Sequence, residues 1–268
     1  MQSRFVAAAF LLWMLLHPTG ASALCKGDPV ENIVEYEGTI GHKYRIKAVL
    51  DIKDSTITGV YFYATQLKDI DLRGSIVDGS RLVLDELDAA GKIVARFDGV
   101  FAETDPQKEY TGPLHCKVIT GSWQKIGATN KLPFILSMST TFVGDLHHLY
   151  FGAEADAKDD IAVDDETLNW RAQRFWEAVR KSDKETVASF IKFPIEVHLG
   201  ERMKRIANRQ ELLEHYDVIF FQRYREAISS DFPRAMLCRL DSCMLGRRGE
   251  IWFDGNGKVT ALNNDPYD

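Results

Sequence analysis

Four side chains in the last third of the chain could take part in proton transfer. They are His198, His215, Tyr216 and Asp217. An imidazole, phenol or carboxylate acts as a general acid or base when an apolar pocket moves its pKa toward the working pH. An acid–base pair that projects into a cavity would serve the isomerisation, hydration or hydrolysis of a small molecule.

The sequence around these residues favours solvated positions instead. His198 alternates with Val197 and Leu199 in a predicted strand, so it faces the side opposite to theirs. His215 and Asp217 are offset from the apolar stripe of the helix that carries them. We therefore predict no catalytic residue and disfavour an enzyme, and the four side chains remain the candidates for that alternative.

Two stretches look like metal sites but lack the required ligands. Neighbouring His147 and His148 point to opposite faces of a strand, so only Asp145 and His147 could share a metal, and two ligands make an incomplete site. The segment DGNGKV at 254–259 places lysine at the third ligand position of a calcium loop and valine where glycine is required. We predict no metal and no cofactor.

The charge pattern disfavours nucleic acid as a partner. The formal net charge is −6, and no basic stripe runs along the chain. Lys204, Arg205 and Arg209 form a small basic cluster that we interpret as part of a solvated loop, with docking of an acidic partner as the alternative.

The N-terminus has the pattern of a secretory signal peptide. Arg4 precedes the apolar run Phe5–Leu16, and small residues end at Ala23, so we predict a signal peptide over 1–23 and a protein secreted to the bacterial periplasm. Lipid attachment at Cys25 is the alternative, but it requires a small residue where Leu24 stands. No other apolar run approaches the ~20 residues of a membrane helix, so we predict no membrane span.

The four cysteines fit an oxidising compartment. They allow three pairings, of which we favour one disulfide in each half of the chain, Cys25–Cys116 and Cys238–Cys243. A redox or metal pair is the alternative for the second. The four residues between Cys238 and Cys243 and the lack of a nearby histidine disfavour it.

Residues 24–150 have the pattern of an all-β domain. Turn residues separate short apolar or alternating runs at intervals of about ten residues, and glycines in or beside these runs permit tight curvature. We predict an antiparallel meander, strongly curved or closed like a barrel. The runs are 44–50, 59–63, 70–72, 82–87, 93–97, 118–123 and 132–138.

The pattern changes after an acidic, alanine-rich linker over 151–165. Residues 166–268 begin with an amphipathic helix capped by Asp164 or Asp165, and Ser182 opens a capping box for a second helix. Phe193–Pro194 ends that helix and leads into a strand over 195–199. A third helix opens at Asn208, and a hairpin joins strands over 250–253 and 259–262.

This order of elements resembles the nuclear transport factor 2-like superfamily, also described as SnoaL-like or cystatin-like. Its secreted bacterial members carry "FP" at the end of the second helix and a late "GE-WF" strand. The resemblance covers 164–268 and none of the β domain. It rests on FWEAVRKSD (175–183), VASFIKFP (187–194), NRQELLEHYD (208–217), GEIWF (249–253) and VTAL (259–262).

The resemblance implies an α+β cone, in which a curved antiparallel sheet wraps around helices and encloses an apolar cavity. Enzymes of this fold place acids at inward strand positions, whereas this chain has Ile195, Val197, Ile251 and Phe253 there. Other members are binding or dimerisation modules without catalytic activity. The tryptophans at 123, 170, 176 and 252 are expected to pack in the core.

These observations favour a secreted, non-catalytic binding protein that recognises a protein or an envelope component, for example as an inhibitor or immunity-type factor. The enzyme described above is the alternative. A third alternative is a homodimer that forms through the open face of the C-terminal sheet.

Overall fold

A computed structural model describes residues 32–102, 117–144, 146, 164–239 and 242–266. The first part is a closed antiparallel barrel of eight strands, in which each strand pairs with the next and β8 pairs with β1. The predicted meander is thus confirmed as a closed barrel. Its strands are β1 (Ile33–Ile40), β2 (Tyr44–Lys53), β3 (Thr56–Tyr63), β4 (Ile70–Val77), β5 (Arg81–Leu87), β6 (Ile93–Phe101), β7 (Val118–Lys125) and β8 (Leu132–Phe142).

Glycine allows the barrel wall to curl as tightly as it does. A Cβ on Gly38 would lie 1.8 Å from the carbonyl oxygen of Ile135 in β8, and one on Gly74 would lie 1.9 Å from that of Val83 in β5. Neither distance is compatible with a side chain. The interior is filled by apolar side chains from all eight strands, among them Tyr36, Tyr61 and Phe97, because alternate residues of each strand face inward.

The C-terminal region, residues 164–266, contains short helices and small sheets. Its helices are α1 (Asp165–Lys181), α2 (Lys184–Phe190), α3 (Arg209–Glu214), α4 (Tyr216–Ile219) and α5 (Gln222–Ser230). The strands β9 (Ile195–Leu199) and β10 (Arg202–Ile206) form a hairpin. The remaining strands pair in the order β11 (Leu237–Arg239), β12 (Ser242–Leu245), β13 (Ile251–Asp254) and β14 (Val259–Leu262).

Side-chain caps determine where three of these helices begin. The Asp164 carboxylate accepts a hydrogen bond from Thr167 N and caps α1, as predicted. The predicted capping box at Ser182 is wrong, because Ser182 adopts the left-handed conformation that ends α1 and Asp183 caps α2. Asn208 caps α3 as predicted, through Glu211 N.

Several elements differ from the sequence-based expectations. The predicted third helix is divided into α3 and α4, and α5, β1 and β10 were not predicted. Lys204 and Arg205 therefore lie on a strand paired with β9 instead of in a loop. Trp170 does not pack in the core: it is 53 % exposed, and the Arg174 guanidinium lies 5.0 Å from its ring centroid.

The outer face of the barrel and the C-terminal region share a hydrophobic core that is separate from the barrel interior. Ile33, Val49 and Phe62 face outward from β1, β2 and β3, yet they are fully buried in the cluster that also contains the helices α1 to α5. The Phe62 and Phe232 rings meet edge to face, with centroids 5.7 Å apart. One side of the barrel is consequently packed against protein and not against water.

The Cys238–Cys243 disulfide is present and joins two residues that are register partners in β11 and β12. The predicted signal peptide, the Cys25–Cys116 disulfide, most of the linker and the residues Asp145, His147 and His148 lie outside the described residues. None of the described helices combines the length and hydropathy needed to cross a bilayer.

We expect Gly38→Ala to lower the free energy of unfolding by about 1–3 kcal/mol, the range for an overpacked site, because the new methyl group would collide with the β8 backbone. Urea denaturation measures this loss. Gly91→Ala is the control: Gly91 has a φ of +75° but open space around it, so it should lose only about 1 kcal/mol. Equal losses at the two positions would contradict the steric explanation.

Candidate functional site

A cleft of about 500 Å³ lies between the outer wall of the barrel and the C-terminal region. We refer to it as the methionine cleft, because Met138, Met236 and Met244 all line it. The barrel contributes residues from β1, β2 and β8, and the C-terminal region contributes the segment after α5 together with β11 and β12. The other lining residues used below are Glu35, Glu37, Arg45, Lys47, Ser137, Ser139, Thr140, Asp231, Phe232, Leu237 and Arg247.

A buried ion pair forms the inner end of the cleft. Lys47 Nζ lies 2.9 Å from Glu35 Oε2, and the two residues are only 5 % and 3 % exposed. Both project from the outer face of the barrel, on neighbouring strands β2 and β1. Lys47 Nζ also donates a hydrogen bond of 2.5 Å to the carbonyl oxygen of Ala235. These three groups, the Lys47 latch, connect the barrel to the segment that follows α5.

Burial dominates the electrostatics of Glu35. Loss of water raises the pKa of its carboxyl above the ordinary value, and the negative charges of Glu37 and Asp231 act in the same direction. The ammonium of Lys47 opposes this shift but does not cancel it. The structure therefore holds a carboxyl group whose protonation is coupled to the contact between the two parts of the chain.

Charged groups at the rim also bridge the barrel and the C-terminal region. The Arg45 guanidinium lies 4.7 Å from the Phe232 ring centroid and donates to the carbonyl oxygen of Ser230 at 2.7 Å. Arg247 lies 3.3 Å from a carboxylate oxygen of Glu37. The cleft is lined by three acidic and three basic side chains, so their formal charges sum to zero and its edge is polar and nearly neutral overall.

The walls of the cleft are adaptable. Methionine has three rotatable side-chain bonds and a polarisable sulfur, so it fits apolar groups of different shapes. The hydroxyl groups of Ser137, Ser139 and Thr140 add hydrogen-bonding capacity beside Met138. This combination can bind a partly apolar group, but it contains no nucleophile paired with a base.

Two ion pairs of Arg234 connect the barrel to α1. Arg234 binds both Asp69, in the β3–β4 connection, and Glu166, in the first turn of α1, at 2.6 and 2.8 Å. The Arg234 side chain is largely buried, whereas the Glu166 side chain is mostly exposed. The segment 234–235 thus contacts the barrel through a side chain and through a backbone carbonyl.

The histidines that sequence analysis singled out have separate surroundings. His198 lies on β9, on the face opposite to buried Ile195 and Val197, and its backbone exchanges hydrogen bonds with the Asn264 side chain. His215 lies between α3 and α4, with its Nε2 3.1 Å from Lys204 Nζ. Among the described residues, neither imidazole ring forms a hydrogen bond with a carboxylate inside a cavity large enough for a substrate.

Tyr216 and Asp217 both contact Lys184. Tyr216 is fully buried, its ring stacks on Phe220 at 4.8 Å, and burial raises its pKa to about 12. The Asp217 side chain is 71 % exposed and lies 2.7 Å from Lys184 Nζ, which also lies 5.2 Å from the Tyr216 ring centroid. The Asp217 carboxylate is therefore mostly in contact with solvent and not enclosed in a cavity.

Apolar side chains fill the space between the helices and strands of the C-terminal region. The positions that the sequence assigns to the inner face, Ile195, Val197, Ile251 and Phe253, are all buried. The Phe175 ring lies edge to face against those of Phe190 and Phe253, at 6.0 and 5.5 Å. The described interior is therefore lined mainly by hydrocarbon, with Trp176 Nε1 and the Tyr216 hydroxyl buried in it without a hydrogen-bond partner.

Sequence analysis did not identify the residues of the methionine cleft. Glu35 belongs to β1, which was not predicted, and Lys47 lies within the apolar run YRIKAVL at 44–50. A charged residue inside an apolar strand is a recognisable signal, since such residues are seldom buried unless they are paired. The identity of the partner was not recoverable from local pattern.

No protein-family model matches the sequence, and comparison with curated proteins and with solved structures finds no match.

We expect Lys47→Ala to lower the free energy of unfolding by about 3–5 kcal/mol, because it leaves the Glu35 carboxylate buried without a partner. The double variant Glu35→Leu/Lys47→Met removes both charges and should recover most of this loss. Urea denaturation of the single and double variants measures both effects. A single variant within 1 kcal/mol of the native protein would contradict a structural role for the latch.

The stability of the protein should depend on pH through Glu35. Because its folded-state pKa is raised above the reference value of 4.5, the folded protein binds this proton more tightly than the unfolded chain does. The contribution of Glu35 to the free energy of unfolding therefore rises as the pH falls through the folded-state pKa, and it is complete below about 4.5. Glu35→Gln should remove this component from melting curves recorded between pH 4 and pH 8, and an unchanged pH profile would contradict it.

Proposed function

We propose that this protein is a secreted, periplasmic binding protein without catalytic activity, and that the methionine cleft recognises a protein partner. The observation that carries the proposal is the composition of the cleft: three methionines line it, of which Met244 is partly exposed, and the formal charges of its lining residues sum to zero. Its volume of about 500 Å³ is within the usual range for binding pockets. One or two apolar side chains of a partner would fit there.

An apolar row on the C-terminal sheet extends the surface available to a partner. Leu237, Met244, Trp252 and Ala261 are successive register partners across β11, β12, β13 and β14, so they lie on one face of the sheet. All four are partly exposed. Leu237 and Met244 also line the cleft, which makes the row and the cleft continuous and favours a macromolecular partner over a small molecule.

We also infer that the C-terminal region is an NTF2-like cone. Two helices, a hairpin, further helices and four antiparallel strands follow one another in the chain. The Asn264 side chain, just after β14, binds the backbone of His198 in β9, which supports a sheet that continues from β14 to the hairpin. The buried residues of β9 and β13 face the helices, as the cone requires.

The proposal of a non-catalytic role is supported by the surroundings of the candidate acids and bases. His215 and Asp217 contact lysines, and His198 is held through its backbone. A general base needs desolvation and contact with the bound substrate. The disulfide between β11 and β12 supports an oxidising compartment such as the periplasm.

The test uses the mature, oxidised protein with a photo-crosslinking amino acid at position 237, in the row beside the cleft. After exposure to periplasmic extract, mass spectrometry should identify one dominant cross-linked protein. Met244→Lys should lower its yield at least tenfold, because the new charge would be buried in the interface. Met203→Lys is the control, since Met203 is 55 % exposed on β10 and outside the cleft.

Three results would contradict the proposal. The first is an equal yield of cross-linked protein from Met244→Lys and from the native protein. The second is light scattering that shows a dimer which Met244→Lys dissociates, because the cleft would then serve self-association. The third is turnover of an ester or lactone that Asp217→Asn or His198→Ala abolishes, because the small-molecule enzyme would then be correct.

A further inference from the structure

One end of the barrel combines a carboxylate with a set of aromatic rings. The turns β1–β2, β3–β4, β5–β6 and β7–β8 meet there, so the first residues of β2 and the last residues of β3, β5 and β7 lie at this end. Those residues include Tyr44, Tyr63, Glu86 and Trp123, with Tyr61 one inward position deeper. We refer to Tyr44, Tyr63, Glu86 and Trp123 as the barrel mouth.

Glu86 accepts hydrogen bonds but pairs with no cation in the part of the chain that the structure describes. Its Oε2 accepts from the Tyr61 hydroxyl at 2.7 Å and from Trp123 Nε1 at 3.1 Å. Its cross-strand partners are Leu72 and Ala95, which carry no charge. None of the ion pairs in the described parts of the chain includes Glu86. The carboxylate is therefore positioned by two neutral donors.

Aromatic rings extend from this carboxylate to the solvent. The Tyr61 and Tyr63 ring centroids lie 5.5 Å apart, and those of Tyr63 and Tyr44 lie 6.2 Å apart, both edge to face. Tyr61 is buried, Tyr63 and Trp123 are partly buried, and Tyr44 is exposed. The exposure of the rings thus decreases from Tyr44 at the surface to Tyr61 beside Glu86.

Glu86 is the acidic side chain of the mouth, and the phenols of Tyr61 and Tyr63 lie beside it. Burial raises the pKa values of the Tyr61 and Tyr63 hydroxyls above their ordinary range, so both phenols stay protonated. A cation is already attracted to the outermost ring, because Lys43 Nζ lies 5.3 Å from the Tyr44 ring centroid. A carboxylate beside the faces and edges of aromatic rings suits a cation that has an apolar body.

We propose that the barrel mouth binds an organic ammonium group, with Glu86 as its counter-ion and with Tyr44, Tyr63 and Trp123 as its aromatic walls. A metal ion fits less well, since a hard cation needs several oxygen ligands and the described residues contain no group of three metal-ligating side chains. The site uses no residue of the methionine cleft and is independent of the partner proposed above.

The experiment is a titration of the mature protein with tetramethylammonium and with butylammonium, followed by the indole N–H resonance of Trp123 in nitrogen-15 correlation spectra. Trp123→Phe assigns that resonance among those of the four tryptophans that follow residue 23. We expect a saturable shift with one or both ammonium probes. The neutral analogue tert-butanol should produce none, because it lacks the charge that Glu86 attracts.

Glu86→Gln tests the counter-ion, because its amide oxygen can still accept the bonds from Tyr61 and Trp123. We expect the dissociation constant to rise at least tenfold. Glu226→Gln, at an exposed carboxylate of α5, should leave it unchanged. If Glu86→Gln does not fold, Tyr63→Leu removes one wall and should weaken binding at least threefold. Two results would overturn the proposal. One is the absence of a saturable shift up to 100 mM probe, and the other is binding by Glu86→Gln and by Tyr63→Leu that equals binding by the native protein.

Discussion

Lys47 carries a charge that the packing of the C-terminal region against the barrel removes from water, and the arrangement of the methionine cleft depends on how that charge is compensated. A buried ammonium requires acceptors on several sides. Glu35 supplies one from the neighbouring strand, and the carbonyl oxygen of Ala235 supplies another from a point 188 residues away in the sequence. Satisfying Lys47 therefore brings the segment after α5 against the barrel, and the cleft is the space that remains beside this contact.

The barrel can accept this contact because its wall is not equally polar all round. Val49 and Phe62 point outward from β2 and β3 but are buried under the C-terminal region. A free barrel would expose these side chains to water, and covering them is favourable by about 25 cal/mol per Å² of apolar surface. Burial of these apolar side chains stabilises the contact between the barrel and the C-terminal region. The Lys47 latch and the Arg234 ion pairs select the orientation of that contact.

The two proposed sites differ in how their charged side chains are arranged. In the methionine cleft acidic and basic side chains balance in number, and apolar side chains are left for a partner to cover. At the barrel mouth the reverse holds, because Glu86 is oriented by neutral donors and forms no ion pair within the described residues. The first arrangement suits protein recognition, and the second suits a small cation.

The sequence by itself determined the features that depend on neighbouring residues: the strand runs of the barrel, the cap at Asn208, the hairpin between β13 and β14, and the Cys238–Cys243 pair. It missed β1, although Val34, Tyr36 and Ile40 alternate there with polar residues, and it placed Trp170 in the core because one ring does not reveal which helix face is covered. Tertiary structure alone decided that β8 closes on β1 and that Glu35, Lys47 and Ala235 meet. Those contacts join residues far apart in the chain, and local periodicity carries no information about such distances.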